Sequence, residues 1–128
     1  KFLESVLRCQ VTSLAELQCD DGYFRTLLDD EEAQIESSAT AGIAYDIARG
    51  IALGVLDPDL RPVSDAAFAA VVSAIDDAGI VRHCSDGTPM GHSLQFYKDI
   101  PDIPAPYGQA LTMLMLVEAI TRDMTEAS

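Results

Sequence analysis

The sequence predicts an all-α fold assembled from αα-hairpins, and three observations carry that expectation. Apolar residues recur at steps of three and four in four separate segments, capping and breaking residues bracket those segments, and no stretch alternates regularly enough to mark a confident strand. With 128 residues the chain has the length of one domain with a single modest core, so residues 1–128 read as one all-α segment. Apolar residues make up 48% and aromatic ones only 6%, and Trp is absent. The core must therefore be aliphatic and alanine-rich.

Leu3, Val6, Leu7, Val11, Leu14 and Leu17 form the stripe of an amphipathic first helix over about residues 2–18, ended by the turn signal CDDG. Residues 23–36 alternate poorly and carry the acidic run Asp29–Glu32, which reads as a loop with one short helical turn or strand. The second helix is unusual: half of the sixteen residues from Ala39 to Gly54 are Ala or Gly. Ser37 or Ser38 is its expected N-cap, Glu36 favours the positive end of its dipole, and Gly54 with Asp57-Pro58 stops it near residue 55. Small side chains let neighbouring backbones approach, which predicts an inner helix with neighbours on both sides and a leading end facing a cavity. The same pattern also fits a tightly packed bundle helix with an ordinary cap.

A third helix is expected over 64–78, with Ser64 as N-cap, Val63 and Phe68 as a hydrophobic staple and Gly79 at C′. Residues 79–106 form a long connection containing CSDGTPMG and room for a short strand at 80–84, and connections of that length are often functional. Pro106 then opens a last helix to about Thr125, with Leu111, Leu114, Met115 and Ile120 on its apolar side.

Charge and composition narrow the partners. Twenty-one acidic against eight basic residues give a formal charge of −13, which argues against nucleic acid and anionic membrane surfaces. No apolar run is long enough to span a bilayer. Cys9, Cys19 and Cys84 lack the spacing of a zinc site or a disulfide framework, so buried free thiols are expected, and a cytoplasmic location rather than a secreted one. An EF-hand starting at Asp57 fails because Pro62 and Phe68 occupy its glycine and glutamate positions. His83 and His92 stand alone and read as structural or surface residues. The chain passes from Lys1 directly into helical periodicity, which reads as a start inside a larger protein.

Four segments in this order, DGYFRTLLDD, ESSATAGIAYDIARGIALGVLD, CSDGTPMG…YKDIP and YGQALTMLMLVEA, resemble the C-terminal part of unsaturated glucuronyl and rhamnogalacturonyl hydrolases, glycoside hydrolase families 88 and 105. The resemblance runs over nearly the whole chain. It implies a six-hairpin (α/α)6 toroid of which these helices are about a third. It also implies an enzyme that hydrates the C4–C5 double bond of the terminal unsaturated uronic acid in lyase-derived oligosaccharides, rhamnogalacturonan type favoured, through one aspartate acting as general acid and base. No metal or organic cofactor is implied. In such enzymes the aspartate lies in an N-terminal part with no counterpart here, so none of the fourteen Asp residues takes that role and the chain alone is expected to be inactive. A partial toroid would expose faces that its missing hairpins cover, which predicts self-association or a marginal fold.

On that reading the candidate substrate-binding residues are Phe24, Arg25, Glu36, Ser38, Thr40, Gly87, Thr88, Tyr97, Tyr107 and Gln109. Phe24 would stack on a sugar and Arg25 would hold the uronate carboxylate, unless Phe24 is core and Arg25 pairs with Asp29. Glu36, Ser37, Ser38 and Thr40 would face the sugar, with helix capping as the alternative. Gly87 and Thr88, beside Asp86, permit a close backbone approach to a ligand or form a plain turn. Tyr97, Tyr107 and Gln109 would supply polar contacts. The family usually carries Trp at Phe24 and often His at Tyr107. An alternative of another class is a non-catalytic wall-binding module, because GIALGVLDPDLRPVSDAAFAAVVSAI has the rhythm of an S-layer homology repeat. It lacks that module's signature at Ser64–Ala67 and does not recur along the chain.

Overall fold

A computed structural model describes residues 1–127. In chain order the elements are α1 (Phe2–Glu16), α2 (Ser37–Ala52), a 3-10 turn (Pro58–Leu60), α3 (Arg61–Ser73), β1 (Cys84–Ser85), α4 (Leu94–Lys98), β2 (Asp102–Ile103) and α5 (Pro106–Glu126). The chain is helical as expected, but the long connection also holds a two-stranded antiparallel sheet, with Cys84 opposite Ile103 and Ser85 opposite Asp102. The short strand expected at 80–84 is displaced to Cys84–Ser85, with Val81 making only an isolated bridge to Ile75, while β2 and α4 are not visible in the sequence because pieces of two and five residues are too short to show a period.

The small-residue helix α2 lies between α3 and α5. Ala41 and Ala44 of α2, Ala67 and Val71 of α3 and Met115 of α5 close around Phe24 to form the central core. Beside it Val11 of α1, Ile47 and Leu56 form a second cluster. Gly50 is required there, since a Cβ at that position would overlap the Leu56 side chain.

Three local expectations change. Neither Ser37 nor Ser38 caps α2: Glu36 sits at the N-cap in extended backbone and its carboxylate accepts the Ala39 N–H. Ser64 does not start α3, because Asp57 opens the 3-10 turn and Pro62 fits the first turn of the helix that follows. The Ser64 hydroxyl instead donates to the Ala44 carbonyl at 2.8 Å, fastening α3 to α2. The third helix stops at Ser73, since the Asp76 carboxylate accepts the N–H groups of Ala78 and Ile80 and folds a turn in which Gly79 takes φ +79°.

Two faces remain bare. On α1, Phe2 and Leu3 are 77% and 78% exposed, and on α5 Met113, Leu114, Val117 and Ile120 are exposed as well. The expected apolar stripe of α5 is thus divided, with Leu111 and Met115 inside and Leu114 and Ile120 outside. Among the described residues only Cys84 is a buried thiol; Cys9, midway along α1, is exposed, and Cys19, in the turn after α1, is half-buried. Among the described residues no helix is long and apolar enough to cross a membrane.

Candidate functional site

A cleft of about 270 Å³ opens at the leading end of α2. Its walls come from five places: Arg25 and Thr26 from the loop after α1, Glu36, Ser38 and Ala39 from the start of α2, Ser85, Gly87 and Thr88 from β1 and its loop, Tyr97 and Ile100 around α4, and Tyr107 from α5. Seven of the ten residues singled out from the sequence therefore share one concavity.

Glu36 organises the floor. It is only 6% exposed, and its carboxylate accepts the Ser38 hydroxyl at 2.7 Å, the Ala39 N–H at 2.5 Å and the Ser85 N–H at 3.1 Å. One side chain thus caps α2 and ties it to β1. Among the described residues no salt bridge reaches Glu36, so its charge is held by oriented N–H and O–H groups alone. Beneath it Cys84 is fully buried, and burial together with the Glu36 charge pushes its thiol pKa up, keeping it protonated. Gly108 of α5 meets Cys84 so closely that a Cβ there would collide with Sγ.

The two tyrosines hold backbone as well as lining the cleft. The Tyr107 hydroxyl donates to the Ser85 carbonyl and accepts the Gly87 N–H at 3.1 Å. The Tyr97 hydroxyl accepts the Gly91 N–H at 3.1 Å. Gly87 needs its glycine, with φ +69° and no neighbour within contact distance of a Cβ. Arg25 donates from Nη1 to the Ala33 carbonyl at 2.7 Å and does not pair with Asp29; the isolated bridge between Arg25 and Ile35 closes the same loop.

Three anticipated residues lie outside the cleft. Phe24 is fully buried at the centre of the core and presents no ring for stacking, because its N–H is bound by the Thr40 hydroxyl at 3.0 Å and its side chain is drawn inward. Thr40 is itself fully buried and donates to the Glu36 carbonyl at 2.6 Å, so it braces Phe24 and Glu36 from behind and reaches no ligand. Gln109 points the other way, accepting the Val81 N–H at 2.6 Å and donating to the Gly79 carbonyl at 3.0 Å. Conversely, Ser85, Thr26 and Ile100 line the cleft without having been anticipated. Ser85 contributes backbone groups, which carry no side-chain signal in a sequence. Thr26 leaves a buried hydroxyl with no protein partner beside the cleft.

The cleft offers hydroxyl and amide groups, two phenol rings and a guanidinium. No Asp lines it, and its one carboxylate already accepts three donors. Among the described residues no group of three His, Cys, Asp or Glu side chains could hold a metal ion. A second concavity of about 320 Å³ between α2, α3 and α5 is lined by the Arg49–Glu118 and Arg122–Asp65 ion pairs and contains none of the anticipated residues.

Comparison with known proteins agrees with the resemblance. The profile of Glycosyl Hydrolase Family 88 matches residues 1–123. The chain is 30% identical over 120 residues to the unsaturated rhamnogalacturonyl hydrolase YesR of Bacillus subtilis, covering 93% of this chain and 33% of that protein. A possible member of the GH105 family from Salmonella enterica superposes with a TM-score of 0.92 at 39% identity, over 94% of this chain and 32% of that one. A family 105 glycoside hydrolase of C. acetobutylicum shares the fold at 20% identity and a TM-score of 0.77. The chain thus spans about a third of the length of these relatives, and its hairpins correspond to part of an (α/α)6 toroid. From the profile match over nearly its entire length, the chain belongs to glycosyl hydrolase family 88.

Proposed function

We propose that these helices form the C-terminal portion of an unsaturated rhamnogalacturonyl or glucuronyl hydrolase, and that the cleft at the leading end of α2 binds the unsaturated uronyl end of a lyase-derived oligosaccharide. The observation that carries this reading is the composition of the cleft: hydrogen-bonding groups, a guanidinium and phenol rings converge there, yet no Asp lines it. Hydration of a C4–C5 double bond needs a proton delivered to one carbon and a water activated at the other, which a single carboxyl group performs in sequence. It does not need two carboxylates flanking a glycosidic oxygen. The residues present would bind and orient the sugar, and the aspartate would come from outside them.

The chain alone should therefore bind without turnover. Its bare faces on α1 and α5 are where the remaining hairpins would pack, and in isolation they should drive self-association. The test is loss of ultraviolet absorbance from the conjugated double bond of unsaturated rhamnogalacturonan disaccharide, comparing this chain with a chimera in which it replaces the matching third of the Bacillus subtilis relative. The chimera should consume the double bond and the chain should not. Turnover by the chain alone would place the acid–base group inside these residues and overturn the reading.

A further inference from the structure

The helix α4 is tied to the loop between α1 and α2 through charged and hydrogen-bonding groups. It has no buried residue, and Leu94 is 65% exposed. Its last residue, Lys98, is different: the side chain is only 16% exposed, and Nζ lies 2.7 Å from Asp30 and 3.1 Å from Glu32. At the same point the Lys98 carbonyl accepts a hydrogen bond from Gln34 at 2.8 Å. All three partners belong to the loop between α1 and α2 that also carries Arg25 and Thr26, whereas Tyr97, next to Lys98, lines the same cleft from α4.

We propose that Lys98 is a positioning residue for the cleft: its ammonium, clasped by Asp30 and Glu32, fixes the wall that carries Tyr97 against the wall that carries Arg25, and so sets the distance between the two groups that grip the sugar. This rests on the cleft being the sugar site. Lys98 itself touches no sugar. When the clasp is removed, α4 samples positions detached from the 25–35 loop, and affinity falls by the fraction of molecules still in the binding geometry. A single ammonium shared by two carboxylates at a half-buried site has the strength of a good ion pair, so the detached population should rise about fivefold and affinity should fall by at most that factor.

The experiment compares the wild-type chain with Lys98→Met, Lys98→Arg and the double variant Asp30→Asn/Glu32→Gln. Two quantities are read in each: the dissociation constant for unsaturated rhamnogalacturonan disaccharide, and exchange of the Asp99 amide, which is bonded to the Gln95 carbonyl at 3.0 Å and reports α4 directly. Both clasp-removing variants should speed Asp99 exchange about fivefold and weaken binding by at most that factor, with α2 amides unchanged, and Lys98→Arg should restore both. High salt should weaken binding more in wild type than in Lys98→Met, because the Arg25 contact to the uronate is screened in both and the clasp in wild type alone. Unchanged Asp99 exchange in both clasp-removing variants would overturn the proposal, as would weaker binding without faster exchange. If the wild-type chain binds no sugar, the reading of the cleft fails, and Asp99 exchange still decides whether Lys98 holds α4.

Discussion

Replacing Glu36 by Ala should destabilise the chain by about 2–4 kcal/mol, and the structure shows where each part arises. The carboxylate accepts the Ala39 N–H as the cap of α2, and loss of an N-cap costs roughly 0.5–2 kcal/mol. It also accepts the Ser85 N–H, and leaving that donor unpaired in a part-buried position costs about 1–3 kcal/mol more. Glu36→Gln keeps the shape and one acceptor oxygen but turns an amide donor toward these N–H groups and removes the charge from the positive end of the helix, so about 1–2 kcal/mol is expected. Urea unfolding followed by circular dichroism measures the total, and exchange of the Ser85 and Ala39 amides assigns it. An Ala variant within about 0.5 kcal/mol of the parent, or one in which the Ser85 amide exchanges no faster, would refute the placing of Glu36 at the junction of α2 and β1.

Phe24→Ala should cost roughly 3–5 kcal/mol, because a ring at the centre of the core leaves a cavity; urea denaturation would show it, whereas a stacking ring on the surface would change stability little. Gly108→Ala should destabilise by about 1–3 kcal/mol through its collision with Cys84, and Cys84→Ala should relieve part of that loss in the double variant. Hydrogen bonding and charge from Lys98 hold the Asp30 carboxyl below its ordinary pKa. The Lys98–Asp30 pair is therefore complete above the usual Asp range and is lost only as pH falls through the lowered value, while the Lys98 pKa, raised by the hydrogen bonds its ammonium donates to Asp30 and Glu32, keeps the ammonium charged beyond the ordinary Lys range. Titration of the Asp30 carboxyl carbon should show a midpoint that returns upward in Lys98→Met, and an unmoved midpoint would contradict the pairing.

The parts of the fold legible in the sequence are those governed by local period. The apolar steps of α1, the alanine and glycine run of α2 and Pro106 ahead of α5 mark helices within a few residues of their ends. Caps were less legible. Ser37, Ser38 and Ser64 have the chemistry of caps, but Glu36 wins because its carboxylate serves β1 as well, a demand that comes from a residue 49 positions away. The cleft shows the same division. No spacing rule joins residues 25, 36, 87, 97 and 107; the family resemblance groups them, and the packing of α5 and β1 on α2 brings them together. Phe24 misleads because an aromatic beside an arginine suggests a sugar platform, whereas a hydrogen bond from its own backbone to Thr40 turns the ring into the core.

The central claim is that the polar cleft at the start of α2 is where a sugar binds. The most direct measurement is a titration of the isotopically labelled chain with unsaturated rhamnogalacturonan disaccharide, following every backbone amide. The account predicts that Ser38, Ser85, Gly87 and Thr88 shift together along one saturation curve while amides around Arg49 and Arg122 stay in place. Shifts centred on the groove between α2, α3 and α5, or none at saturating sugar, would contradict it.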